Sequence, residues 1–418
     1  MRFINKTIFT GFSPNIDRTS VRQACGFLFF PWKWKVWRSD ESPKMIEQWL
    51  KTYFDTKYAT TFDSGRTALF YALKALGVGE GDEVLVQAYT CVVVINAIKW
   101  TGATPVFVDI KSGLNMDPED AKRKVSDNTK VMIIQHTFGQ PAKMEVLMSV
   151  ARDNNLKTVE DCAHSLGAKS NGQLTGTFGD IGMFSFGSDK IVSCVRGGGL
   201  ITKSEVINKK IEEYHARLPE TDRLLIFQHL MHYPLFFIGK ALYSIKIGKW
   251  ILGFAKKLHI INRIIYRPEK QGKQLQFYPT KLPNSLASIL LGQLGQLDSL
   301  NNHRREIANL YGELLNKEID RQITTEESIH LRYTLFVNET KKLRSETKKE
   351  GIILGDWYDT IIAPRDIDMV ATGYKSGDCP QAELYSKKSI NLPTNRHISK
   401  TDAKCVAGLV NHLLGESK

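Results

Sequence analysis

Three short stretches combine residue types that support chemistry when they are brought together. DSGRTAL (63–69) is a glycine turn running into a helix, so its first backbone N–H groups and the positive helix end make an anion site. VEDCAHSLGA (159–168) ends an apolar run at Asp161, with His164 shortly after it. A carboxylate there either holds a cationic ring nitrogen or caps its own loop. GDIGMFSFGSDKIVSCVRGGG (179–199) sets Ser185 and Lys190 among apolar residues. A lysine desolvated in that way has its pKa lowered, as an imine-forming amine requires; the plainer reading is a surface lysine.

The elements around these stretches alternate. DEVLVQA (82–88), TPVFVDI (104–110), KVMIIQHTFG (130–139) and LKTVEDCA (156–163) read as strands. Between them, 92–103, 117–125 and 143–155 read as helices, and YALKALGVG (71–79) closes a helix on glycine. This order predicts an α/β fold with a mostly parallel sheet covered by helices. Ligands bind such sheets at the carboxyl ends of the strands, which places 87–89, 136–139 and 161–164 on one rim. An anion site, a ring-nitrogen carboxylate and an imine lysine at that rim are the parts that hold pyridoxal phosphate. Neither a GxGxxG nor a GxxxxGK[ST] loop is present, which weighs against a dinucleotide or triphosphate enzyme. The run 286–315 predicts one long amphipathic helix, 329–337 and 351–354 read as strands of a smaller C-terminal domain, and 400–415 as a terminal helix.

The net charge of +13 is concentrated. Residues 1–40 hold seven basic side chains against two acidic ones, and 222–268 hold eight against one. The same two segments carry 17 of the 41 aromatic residues. They are too apolar for a nucleic-acid arm, yet no stretch is long enough without charge to span a bilayer. At about 100° per residue Lys246, Lys249, Lys256 and Lys257 share one side of a helix, with Trp250, Ile251, Phe254 and Leu258 mostly elsewhere. That pattern fits contact with an anionic membrane surface, or else a helical pair packed on the body or on a dimer partner. The six cysteines (Cys25, Cys91, Cys162, Cys194, Cys379, Cys405) form no CxxC pair and no Cys/His cluster, so neither disulfides nor a metal site are expected. The N-terminus does not read as a signal peptide, and the expected location is the cytoplasm, with possible peripheral attachment to the inner face of the membrane. The expected organisation is a basic, aromatic arm (1–45), a large domain (46–221), a basic apolar insertion (222–276) and a small domain (277–418).

With these motifs in place, the sequence resembles the DegT/DnrJ family of pyridoxal-phosphate-dependent sugar aminotransferases. The resemblance runs through residues 46–69, GATPVFVDI (102–110), HTFGQPA (136–142), EDCAHSLGA, GTFGDIGMFSF with the SFxxxK spacing, CPQAE (379–383) and NLPT (391–394). It implies the aspartate-aminotransferase-type fold, fold type I, and a homodimer. It also implies residue roles. Lys190 bonds the cofactor aldehyde and later moves a proton, Asp161 pairs with the protonated ring nitrogen, and His164 covers one ring face. Ser185 and the backbone of Gly65 and Arg66 hold the phosphate, and Tyr89 covers the other ring face. Several positions depart from the family pattern. Arg66 stands where Thr is usual, and its guanidinium is expected to add to phosphate binding. Cys91 stands where many members have an aromatic residue. FYPTK (277–281) replaces a GxNxR segment, with Pro279 at the place of an Asn that reaches the neighbouring subunit's phosphate. The implied activity is transfer of an amino group, from glutamate as donor, to a keto-sugar. The sugar is expected to be nucleotide-linked, with a lipid-linked variant, and the product to serve surface polysaccharide or lipopolysaccharide synthesis. The rivals are a pyridoxal-phosphate-dependent sugar dehydratase, whose members carry His in place of the imine lysine, and a non-catalytic, membrane-associated cofactor-binding protein.

Overall fold

The computed structural model describes residues 6–13, 15–263, 265–276 and 278–415. Arg2 of the basic arm and Phe277 of the FYPTK stretch therefore lie outside the described residues. At the centre is a seven-stranded sheet in the spatial order 58–62, 198–202, 181–185, 157–161, 129–135, 83–87, 104–108. Only Gly198–Thr202 runs against its neighbours. The central strands are apolar on both faces. Val131 and Ile133 pack with helices Gly65–Ala75 and Val92–Lys99, while Met132 and Ile134 pack with Met144–Asp153 on the opposite side. Burial on both faces is why these strands read as continuous apolar runs in the sequence.

The small domain pairs Tyr333–Phe336 with Ser389–Leu392 and packs helices Leu297–Leu314 and Lys400–Gly415 over them. The single helix expected over 286–315 is two helices, Asn284–Leu294 and Leu297–Leu314. The break falls at Gly295 and Gln296, where glycine is the weakest residue for propagating a helix. The two halves serve different domains. The first packs on helix Glu41–Phe54 and the second on Lys400–Gly415.

The N-terminal segment is an integral part of the body, where a separate arm was expected. Ile8–Phe9 pairs in parallel with Ile352–Ile353 of the small domain, and helix Arg18–Phe29 packs on Arg223–Ala241. The insertion is a helical pair, Arg223–Ala241 and Ile247–Lys257. Its two helices approach closely because Gly239 and Gly248 face each other: a side chain at Gly248 would stand 1.9 Å from the Gly239 carbonyl oxygen. Leu252 and Ala255 fill this contact, while Trp250, Phe254 and Leu258 stay exposed beside the exposed Lys246, Lys249, Lys256 and Lys257. Among the described residues no helix is long and apolar enough to cross a membrane.

Candidate active site

The strand ends and the loops that follow them converge on one cavity. Its lining includes Gly65, Arg66, Asp161, His164, Ser185 and Lys190, six of the seven site residues expected from the sequence. Ser64 caps the helix Gly65–Ala75 by accepting from the Thr67 N–H at 3.3 Å. The N–H groups of Gly65 and Arg66 fall in the first turn, where no intrahelical acceptor exists. A side chain at Gly65 would stand 2.8 Å from Ser185 Cβ, and one at Gly198 would stand 2.4 Å from the Ser64 carbonyl oxygen. Both positions need glycine, and the result is a backbone turn seated directly on the Ser185 hydroxyl.

Asp161 ends the strand Lys157–Asp161 and is 3% exposed; one of its carboxylate oxygens accepts from the Ala163 N–H at 3.0 Å. Burial raises its pKa, opposed by that hydrogen bond and by the charge of Lys190. Lys190 reaches solvent only in part and lines the cavity. Burial lowers its pKa and Asp161 opposes the shift. The two groups thus share one low-dielectric environment and sense each other's charge. His164 is held neutral, its pKa pushed well below the usual range by burial and by the charges of Lys190 and Arg332. Its Nδ1 accepts from the Phe138 N–H at 3.4 Å, and its ring stacks on Phe138 at 5.5 Å.

Two expectations are corrected by this geometry. Tyr89 does not line the cavity: its ring is fully buried behind the wall, and its hydroxyl donates to Ser389 Oγ at 2.9 Å. It supports Tyr358, 5.2 Å away between ring centres, and Tyr358 together with Trp357 and Cys91 forms that wall. The Arg66 guanidinium is not free for a phosphate. It pairs with Glu269, a wholly buried carboxylate at the end of the insertion. In the 277–281 stretch, Tyr278 lies beneath the Arg196 guanidinium at 4.0 Å and Lys281 pairs with Glu220 at 3.1 Å.

Sequence reasoning missed several lining residues. Arg332, at the start of the apolar run RYTLF, is 6% exposed and makes no ion pair or hydrogen bond among the described residues. A charged residue opening a buried strand was the available signal. His229 and His232 reach the cavity from helix Arg223–Ala241, and their spacing in an otherwise apolar helix was a second signal. The N-terminal segment also buttresses the site. Ser13 N–H donates to Asp189 at 3.1 Å, and the Asn15 amide donates to the Lys190 carbonyl.

The residues present fit pyridoxal phosphate. The glycine cradle on Ser185 matches a phosphate, Asp161 matches a protonated ring nitrogen, and a lysine of lowered pKa matches the aldehyde. Comparison with known proteins agrees. The model of the DegT/DnrJ/EryC1/StrS aminotransferase family matches residues 33–224 and 260–411. A GDP-perosamine synthase of Caulobacter vibrioides is 35% identical over 88% of this chain and 89% of its own length. One from Escherichia coli O157:H7 is 28% identical, with 86% of each chain covered. Among solved structures, NtdA from Bacillus subtilis with bound PMP shares the fold at a TM-score of 0.76 and 20% identity, covering 99% of this chain and 86% of that one. Helicobacter pylori PseC gives a TM-score of 0.74 at 17% identity, covering 97% and 98%. The chain belongs to the DegT/DnrJ/EryC1/StrS aminotransferase family and is a pyridoxal-phosphate-dependent enzyme of fold type I.

Proposed function

We propose that this enzyme moves an amino group from glutamate to a nucleotide-linked keto-sugar for surface polysaccharide or lipopolysaccharide, working as a cytoplasmic homodimer. The observation that carries this reading is the shared cavity of Lys190 and Asp161 beside the Gly65/Ser185 cradle. Relatives named GDP-perosamine synthase support a nucleotide-linked sugar. Bound in the cavity, pyridoxal phosphate supplies an aldehyde that carries the amine and a ring that withdraws electrons.

The chain's own residues do the rest. Ser185 and the N–H groups of Gly65 and Arg66 hold the phosphate, and Asp161 keeps the proton on the ring nitrogen. Neutral His164 lies against one ring face without adding charge there. Lys190 Nζ would accept and return the transferred proton; burial lowers its pKa, which favours the neutral amine that this role requires. Arg332 holds the donor's α-carboxylate, since a planar guanidinium grips a carboxylate through two parallel hydrogen bonds.

The test is a half-reaction followed by product analysis. Glutamate is expected to convert the bound cofactor to its amine form, and a keto-sugar nucleotide is expected to return it with the sugar gaining an amine by mass. Lys190→Ala is expected to abolish both steps. Water loss from the sugar, or activity retained by that variant, contradicts the reading. Sedimentation of the purified protein tests the homodimer.

The same reading places the enzyme on an anionic membrane surface. Trp250 is 80% exposed and Phe254 63%, with Lys249, Lys256 and Lys257 on the same helix and Lys246 at its N-cap. An exposed apolar stripe beside a lysine stripe suits the boundary between headgroups and acyl chains. Co-flotation with anionic vesicles at low salt, lost when the four lysines are replaced by glutamate, is the expected result. No flotation at low salt removes this part.

A further inference from the structure

Lys190 lies beyond the sheet that fixes Asp161 and Ser185. The strand Ile181–Ser185 ends five residues before it, and the Lys190 N–H donates within its own turn, to the Gly187 carbonyl at 3.1 Å. The side chain is a flexible four-carbon stem, so Nζ is placed only as well as the backbone at its base. Two bonds to that turn come from the far end of the chain. The Asn15 amide donates to the Lys190 carbonyl, and the Ser13 N–H donates to the Asp189 carboxylate at 3.1 Å. Both residues precede the first segment matched by the family model, which starts at residue 33.

The stretch that makes these bonds is itself tied down on two sides. Toward the small domain, Ile8–Phe9 pairs with Ile352–Ile353, Thr10 Oγ1 donates to the Asn391 carbonyl at 3.0 Å, and the Asn395 amide donates to the Phe9 carbonyl at 2.9 Å. Toward the insertion, the Ser13 carbonyl accepts from Lys240 Nζ at 3.1 Å, and the Ser13 hydroxyl meets His232 Nε2 at 2.5 Å. The backbone N–H, the carbonyl and the hydroxyl of Ser13 are thus all engaged. Phe12 and Ser13 both have left-handed backbone, with φ of 70° and 57°, which is uncommon without glycine. Such a conformation persists only where the surroundings over-determine it. Asn15 points the same way. It is 2% exposed, and its Oδ1 has no hydrogen-bond partner among the described residues. Leaving that acceptor unpaired is costly, and an apolar side chain would fill the space without the cost. What the amide provides is its bond to the backbone of Lys190.

We propose that Ser13 and Asn15 are positioning residues of the transamination site: they clamp the turn 187–190 to the small domain and the insertion, and so extend the fixed geometry of the sheet to Lys190. Neither is among the described residues that line the cavity, so both act through the backbone of the turn. The proposal rests on the aminotransferase reading for the role of Lys190.

Asn15→Leu in the holoenzyme tests it, because leucine keeps the volume and removes the donor. The half-reaction with glutamate is expected to slow by about tenfold or more, since a small misplacement of a reacting group has an effect of that size. The glutamate concentration that gives half the maximal rate is expected to stay within about twofold of wild type, and the melting temperature to stay close to it. The visible circular dichroism of the bound cofactor, which reports how it is held, is expected to weaken. Hydrogen exchange in the unaltered protein covers the case in which the variant does not fold: peptides spanning 8–13 and 186–192 are expected to open together, with protection within about threefold of each other. A half-reaction within about twofold of wild type in Asn15→Leu overturns the proposal. So does a rate that falls only in step with the melting temperature while the dichroism is unchanged, or an N-terminal stretch that exchanges more than about threefold faster than the turn. Failure of glutamate to convert the cofactor in the unaltered enzyme contradicts the aminotransferase reading instead, and the exchange result still decides whether the clamp holds the turn.

Discussion

The strand-end rim and the insertion face the same cavity, but different forces hold them there. Asp161 and Ser185 end strands that are hydrogen-bonded to neighbours and buried on both faces, so their positions follow from the backbone ladder. His229 and His232 sit on a helix held by side-chain packing against Arg18–Phe29 and by the Gly239–Gly248 contact, with its outer side exposed. Groups that must keep a fixed geometry toward a reacting atom are on the rigid frame.

The largest expected effect lies on the rim. Asp161→Asn keeps the shape and an acceptor for the Ala163 N–H but removes the charge that holds the ring proton. Its half-reaction with glutamate is expected to slow by about 10²–10³-fold in stopped-flow spectra. A change of less than about threefold would mean that the frame does not carry the chemistry.

The next effect falls on the joint between the regions. Arg66 belongs to the cradle turn and Glu269 to the insertion's end, and their buried pair ties the two together. Glu269→Gln leaves a buried guanidinium unbalanced and is expected to destabilise the protein by about 3 kcal/mol in denaturant melts. A variant as stable as wild type would make the insertion independent of the cradle.

Arg332→Gln sharpens the contrast from the small-domain side. It is expected to raise the KM for glutamate by roughly tenfold, with kcat and the keto-sugar KM changed little. An equal rise in both KM values would take Arg332 out of the donor's site.

The smallest effect is a pH dependence of the insertion. His229 and His232 each titrate near about 3 when folded, against 6.5 for an ordinary histidine, because burial disfavours the charged ring. The unfolded chain therefore binds protons first as pH falls below 6.5, so the stability from these two groups is complete above 6.5 and declines toward 3. Going from about pH 7.5 to about pH 6 is expected to weaken the insertion by on the order of 1 kcal/mol, read by hydrogen exchange in Arg223–Ala241. Exchange there that does not change with pH after correction for the intrinsic rate contradicts this.

The same difference in forces decided what the sequence revealed. Asp161, Ser185 and Lys190 were legible because strand–helix alternation fixes which residues fall at strand ends, and because apolar flanks mark burial. Arg332 and His229 left only weak local signals, a charge opening a buried strand and a histidine pair in an apolar helix, because packing between distant segments puts them at the cavity. Tyr89 follows its strand end in sequence, but a hydroxyl bonded to Ser389 and a ring packed on Tyr358 draw it behind the wall. Arg66 reads as a phosphate ligand only until its partner, some 200 residues away in sequence, is known. The long helix was misread because a periodic apolar pattern runs unbroken through Gly295 while the backbone does not.

The account depends most on Lys190 being the amine that meets the cofactor. Borohydride reduction of the holoenzyme followed by peptide mapping tests this directly. The account predicts one pyridoxyl group per chain, carried by the peptide containing Lys190, with the surface lysines 246, 249, 256 and 257 unmodified. A label on another lysine, with Lys190 untouched, would contradict it.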